Sequence, residues 1–182
     1  MATLRSHPAA KSIRAFDQRV DKAIDRWRTP ALDRVFYPLS SAADHSLLWA
    51  ALGAVRQATG RGRPGSAVRL IGVLAVESVV TNGLVKLVFR RVRPALDPAA
   101  TGALPFGLRR PVTSAFPSGH ATSAFTAAGY LAKDDPRRPA YYLLAVAVAF
   151  SRLYVRLHHA SDVVFGALLG MAFGRIARRL AP

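Results

Sequence analysis

Five stretches of the chain run for helical lengths almost without charge, at residues 35–55, 70–89, 118–132, 139–151 and 162–174. Short basic, turn-forming segments separate or follow them: Arg56 to Arg69 around a GRGRPG core, KDDPRRP at 133–139, and Arg175 to Arg179 near the end. Crossing bilayer hydrocarbon takes about 20 residues, and the shorter runs approach that length once their amphipathic ends are counted. Cations gathered at the ends of apolar runs fit the edges of a membrane. A soluble helical core can also be apolar all round. However, Gly166, Gly170 and Gly174 recur every fourth residue in the last run. In water such a stripe weakens a helix, whereas in lipid it lets two helices approach closely. The pattern predicts an all-α, integral membrane helical bundle of about five transmembrane helices, formed by residues 35–182.

Residues 1–34 follow a different pattern. Ile13, Phe16, Val20, Ile24 and Trp27 are spaced by three, four, four and three residues, with Lys, Arg and Asp on the opposite face. This is an amphipathic helix over about residues 10–28, suited to lying on the membrane surface; an ordinary packed surface helix is the alternative. The first 30 residues contain no apolar run of signal-sequence type.

The chain has 182 residues, 51% of them apolar, and no cysteine, which excludes disulfides and thiolate metal sites. Its 26 Lys and Arg against 10 Asp and Glu give a formal charge of +16. In a soluble protein that excess would suggest nucleic acid. Beside apolar spans it points to the edges of a bilayer, and no nucleic-acid partner is expected.

Polar residues inside the apolar runs carry the chemistry. Ser78, Asn82 and Lys86 follow at four-residue steps and Arg93 comes seven later, so a helix continued to Arg93 would align all four on one face. Lys86 and Arg93 would then lie about 10 Å apart along the axis, close enough to converge on one anion. Two cations snorkelling to the interface is the alternative. In FPSGHATSAF, Ser118 is a natural N-cap, the free N–H groups of Gly119 and His120 favour an anion, and His120 can deliver a proton to it.

Lys86 to Pro94 reads K-x6-R-P, Pro117 to His120 reads PSGH, and Ser151 to Asp162 reads SR-x5-H-x3-D. Together these resemble the three-part signature of the type 2 phosphatidic acid phosphatase (PAP2) superfamily. The resemblance covers residues 86–162 and implies a metal-independent lipid phosphatase with a PAP2/haloperoxidase-like helical core. By the same resemblance His158 is the nucleophile and His159 a bystander. Asp162 would accept the far imidazole N–H of His158, and His120 would serve as general acid and then base. Lys86, Arg93, Arg152, Ser118 and Gly119 would hold the phosphoryl oxygens. No cofactor or metal is called for. A basic membrane protein that only binds anionic lipid is the alternative, but it has no need of a nucleophile with an orienting acid.

An unbroken helix from Arg152 to Asp162 would point Arg152 about 120° away from His158. A shared phosphate therefore predicts a turn near residues 155–159. Asp44 and His45 are expected to cap or anchor the first span, with contact to substrate as the alternative, and Glu77 to be protonated or hydrogen-bonded within the bundle, with a substrate or proton role as the alternative. The candidate substrates are phosphatidic acid, phosphatidylglycerol phosphate, a polyprenyl diphosphate or a polyprenyl-linked sugar phosphate, in a bacterial plasma membrane. The basic residues divide 16 to 10 in favour of the face bearing the motifs, and 13 to 10 without the three site cations. The positive-inside rule then favours a cytoplasmic site.

Overall fold

The structure, a computed structural model, describes residues 8–94, 108, 111–133 and 135–180, all in helices and connecting segments. α1 (Pro8–Arg26) and α2 (Pro30–Ala42) precede α3 (Leu47–Ala58). α4 (Ser66–Ser78) continues through a π-helical stretch, Val79–Val85, to Val88. α5 (Gly119–Leu131), α6 (Arg138–Tyr154) and α7 (Ala160–Leu180) complete the bundle.

Helices α3 to α7 run between two faces. On one face, Gln57 at the end of α3 accepts from the Ala67 N–H at the start of α4, and Arg56 reaches Asp135 at 3.2 Å. Lys133, just beyond α5, donates to the Arg178 carbonyl of α7. Buried Asp135 is a hub here, also accepting from the Arg137 N–H at 2.9 Å and the Tyr141 hydroxyl at 2.8 Å. Burial alone would raise its pKa, but these hydrogen bonds outweigh burial and hold the carboxyl well below the usual range. The motif residues gather at the other face, where α3 begins, α4 ends, α5 begins, α6 ends and α7 begins.

α5 is the central helix. Ala121, Ala124, Ala127 and Ala128 are fully buried on it, and α7 packs along its length. The glycine stripe explains the closeness of that contact. A Cβ at Gly166 would lie 2.6 Å from the Ser118 oxygen, one at Gly170 would lie 2.3 Å from the Thr122 oxygen, and one at Gly174 would lie 3.1 Å from the Gly129 Cα. Outward-facing side chains are apolar along α4 (Ile71, Val76, Val79, Leu84, Leu87), α6 (Leu143, Val146) and α7 (Val164, Leu168, Ile176). A surface of this kind belongs in lipid. Ser66–Val88 and Ala160–Leu180 are each long and apolar enough to cross a bilayer.

Two expectations about the elements need correction. The run at 35–55 is not one span, because His45 and Ser46 adopt positive φ values of 53° and 60° and divide it. α2 lies instead along the end of α6, with Phe36 against Phe150 and Tyr154, and Tyr37 against Tyr154; only α3 crosses toward the far face. The helix carrying Lys86 does not continue to Arg93 either. It stops at Val88, Phe89 is extended, and the Arg91 N–H bonds the Ser114 hydroxyl. Proline at 94 disfavours helix at Arg93, and the Ala115 N–H bonds the Arg91 carbonyl, so this stretch pairs with the 111–115 segment.

The apolar stripe of α1 is divided between two environments. Ile24 is buried against Tyr154, Val155 and Leu157, with Val20 beside it, while Ile13, Phe16 and Trp27 face outward.

Candidate active site

Six of the eight residues singled out by the motifs line one cavity of about 890 Å³: Lys86, Arg93, Gly119, His120, Arg152 and His158. Their convergence depends on three breaks in helical structure. α4 ends at Val88, so Arg93 arrives on extended backbone. α5 begins at the Ser118 cap, where the Ser118 hydroxyl accepts from the Ala121 N–H at 3.4 Å. α6 ends at Tyr154, and the following turn, with Arg156 at a φ of 59°, returns the Leu157 and His158 N–H groups to the Arg152 carbonyl. That is the turn expected at 155–159, and it brings Arg152 and His158 to the same cavity.

His158 is buried, with both ring nitrogens engaged. Nδ1 lies 2.7 Å from the Ala115 carbonyl, which fixes the proton there. Nε2 therefore carries the lone pair and accepts from Arg93 Nη1 at 3.2 Å. Burial, then the charges of Arg152 and Arg93, hold this imidazole well below the ordinary histidine pKa, so it is neutral at physiological pH.

Asp162 does not act on His158 as expected, because its Oδ2 stands 3.9 Å from Nδ1. The carboxylate sits in the first turn of α7, where Oδ2 accepts from the His159 N–H at 2.8 Å and Oδ1 from Arg91 at 2.6 Å. Local capping geometry thus claims the oxygen that the motif spacing suggested for the histidine. Ser118 also lies behind the cavity wall: its hydroxyl caps α5 and its N–H bonds the Asp162 carbonyl at 3.1 Å, tying α5 to α7. Gly119 does face the cavity, and a Cβ there would meet the Asn82 Oδ1 at 2.8 Å.

The carboxylate that does hold a motif histidine is Asp44. Its Oδ1 lies 2.7 Å from His120 Nε2 and 3.9 Å from Arg152 Nη1. Asp44 lines the cavity in the kink between α2 and α3, so its role is not confined to anchoring a span. Arg152 is buried, with Nη1 on the Ser40 hydroxyl and carbonyl and Nε without a partner. Arg93 is held by the Leu157 carbonyl at 2.6 Å and the Pro111 carbonyl at 3.1 Å. His159 points elsewhere, to Asp21 at 3.5 Å.

Sequence reading also missed a supporting pair. Arg91 joins Asp162 to Asp17 of α1 at 2.5 Å, and Asp17 in turn accepts from the Ser161 N–H at 2.8 Å. Asp17 falls four residues after Ile13 and three before Val20, within the apolar stripe of α1. A carboxylate in that stripe was the available signal, since burying one requires partners.

Comparison with known proteins identifies the family. The profile of the PAP2 superfamily matches residues 66–182. The decaprenylphosphoryl-5-phosphoribose phosphatase of Mycolicibacterium smegmatis is 37% identical over 131 residues, covering 70% of this chain and 67% of that protein. The Mycobacterium tuberculosis phosphatase of the same name is 33% identical over 141 residues, covering 76% of this chain and 74% of its own. The fold matches the crystal structure of a transmembrane PAP2-type phosphatidylglycerolphosphate phosphatase from Bacillus subtilis, with a TM-score of 0.72, 24% identity and coverage of 98% of this chain and 89% of that one. It also matches LpxE of Aquifex aeolicus, with a TM-score of 0.71, 27% identity and coverage of 89% and 94%. The chain belongs to the PAP2 superfamily and is a membrane lipid phosphatase.

Proposed function

We propose that the enzyme removes the terminal phosphate of a polyprenyl-linked sugar phosphate through a covalent intermediate on His158. The observation that carries the mechanism is the His158 Nε2 lone pair, aimed into a cavity walled by Lys86, Arg93 and Arg152, with the His120–Asp44 pair on the same cavity. The relatives' activity on decaprenylphosphoryl-5-phosphoribose supports the substrate class.

In the first step Nε2 attacks phosphorus and the bond to the sugar oxygen breaks. His120 gives that oxygen its proton, leaving phosphohistidine and a free hydroxyl. Arg93 Nη1 moves from Nε2 to a phosphoryl oxygen, and the unpartnered Arg152 Nε, Lys86 and the Gly119 N–H hold the others as charge builds on the trigonal bipyramid. In the second step water attacks phosphorus, His120 takes its proton, and the P–N bond breaks to release phosphate. The Ala115 carbonyl keeps the His158 proton on Nδ1 throughout, and Asp44 orients His120. Asp162 supports the site indirectly, through the first turn of α7.

Residues 35–182 are the catalytic domain of a multi-pass protein of the bacterial plasma membrane, and of the N-terminal segment 1–34 the described part, from Pro8, lies in the interface beside the site face, residues 1–7 being outside the described residues. The outward Ile13, Phe16 and Trp27 support that placement. Phosphate release from a panel of phosphatidic acid, phosphatidylglycerol phosphate, a polyprenyl diphosphate and decaprenylphosphoryl-5-phosphoribose, by the purified protein in detergent, tests the substrate reading. Preference for the last is expected. Preference for either phospholipid would overturn it.

A further inference from the structure

The catalytic steps leave one cavity wall unexplained. Glu77 is 1% exposed, lines the cavity, and has one carboxylate oxygen, Oε1, with no hydrogen-bond partner. A buried carboxylate oxygen left bare beside hydrocarbon is costly, so a site that retains one is arranged for something that is not hydrocarbon. Between Glu77 and Lys86 the same side of α4 presents Ser78 and Asn82, which hydrogen-bond each other at 3.1 Å and also line the cavity.

Glu77 and Lys86 are nine positions apart on either side of the π-helical stretch, and both line the cavity. A phosphate against the Lys86 ammonium therefore leaves the wall from Asn82 to Glu77 for the rest of the substrate. An acyl or prenyl chain would find the wrong partners along this wall. A group bearing hydroxyls would find a carboxylate, an amide and a hydroxyl.

We infer that the cavity wall formed by Glu77, Ser78 and Asn82 is the binding site for the hydroxylated leaving group, and that Glu77 accepts a hydrogen bond from a sugar hydroxyl. This rests on the reading of the substrate as a sugar phosphate. It assigns selectivity for the leaving group to α4, apart from the cations that bind phosphate.

The test compares kcat/KM for a short-chain polyprenylphosphoryl-5-phosphoribose with kcat/KM for analogues carrying fluorine or hydrogen in place of each remaining ribose hydroxyl. Leaving a buried polar group without its partner costs about 1–3 kcal/mol, so the wild-type enzyme should prefer the parent over one analogue by roughly 5- to 150-fold. In Glu77→Leu that preference should collapse to within a few-fold, because no acceptor remains for the hydroxyl. Equal turnover of parent and analogues by the wild-type enzyme would overturn the inference without any variant having to fold. A preference that survives intact in Glu77→Leu would also overturn it. Failure of the wild-type enzyme to hydrolyse the parent would instead remove the substrate reading on which it rests.

Discussion

The backbone approach at the turn that opens α5 yields the sharpest structural prediction. Gly166 of α7 packs on the turn that opens α5: an alanine Cβ there would lie 2.6 Å from the Ser118 oxygen and 3.2 Å from both Ala121 Cβ and Thr122 Oγ1. The Ser118 oxygen is backbone and is already bonded to the Thr122 N–H and hydroxyl, so it cannot swing aside. Contacts under 3.0 Å are essentially never seen at a Cβ, so α5 and α7 must part by at least about 0.4 Å. Overpacking of this kind costs about 1–3 kcal/mol, and at about 2–4 °C per kcal/mol the melting temperature in detergent should fall by roughly 2–12 °C. The same displacement moves Gly119 and His120 relative to His158. Misplacement approaching 1 Å at a reacting centre costs on the order of 100-fold, so kcat/KM should drop about 10- to 100-fold. Gly72 of α4 is the control, since nothing lies within 4 Å of its Cβ position; Gly72→Ala should keep both activity and stability. A Gly166→Ala enzyme as active and as stable as Gly72→Ala would refute the claim that this contact positions the α5 turn.

Three further outcomes are expected. Asp44→Asn removes the charged partner of His120 and should lower kcat by about 10- to 100-fold with a smaller change in KM, measured by steady-state phosphate release. The pH dependence follows from the lowered pKa of His158: only the neutral ring attacks, and the folded protein keeps it neutral below the ordinary value of about 6.5. The acid limb of kcat/KM belonging to the nucleophile should therefore lie below pH 6.5, and a limb centred at or above it would contradict the electrostatics. Vanadate, which adopts a trigonal bipyramid bonded to an imidazole, should inhibit competitively, while EDTA should leave turnover unchanged because Lys86, Arg93 and Arg152 supply the positive charge.

The parts of the site that were legible in the sequence are those that local spacing determines. The turn after Arg152 was legible because two side chains needed in one place could not share a helix face. The glycine stripe was legible because a four-residue period marks one side of a helix. The contacts that escaped are those made across the fold. Asp44 lies 76 residues from His120 and reaches it only because the chain kinks at His45 and Ser46. The Ala115 carbonyl fixes the tautomer of His158, and a backbone oxygen leaves no trace in residue identity. Asp162 was misassigned for a related reason: a spacing of four residues suggested His158 as its partner, but at the start of a helix the nearer demand is the His159 N–H. The polar row on α4 suggested a helix through to Arg93. It ends early because the segment from Phe89 to Arg93 finds other hydrogen bonds with the 111–115 segment.

The covalent step on His158 is the central claim, and trapping it is the most direct test. The enzyme is mixed with substrate labelled in its terminal phosphate, quenched rapidly without acid, and digested for peptide mapping. Phosphate should be found on His158 Nε2. More should accumulate in His120→Ala, where water is no longer activated, provided the substrate's leaving group departs without a proton. His158→Ala should carry no label and release no phosphate. Label on His120 or His159, or unlabelled His158 in an enzyme that His158→Ala leaves fully active, would contradict the account.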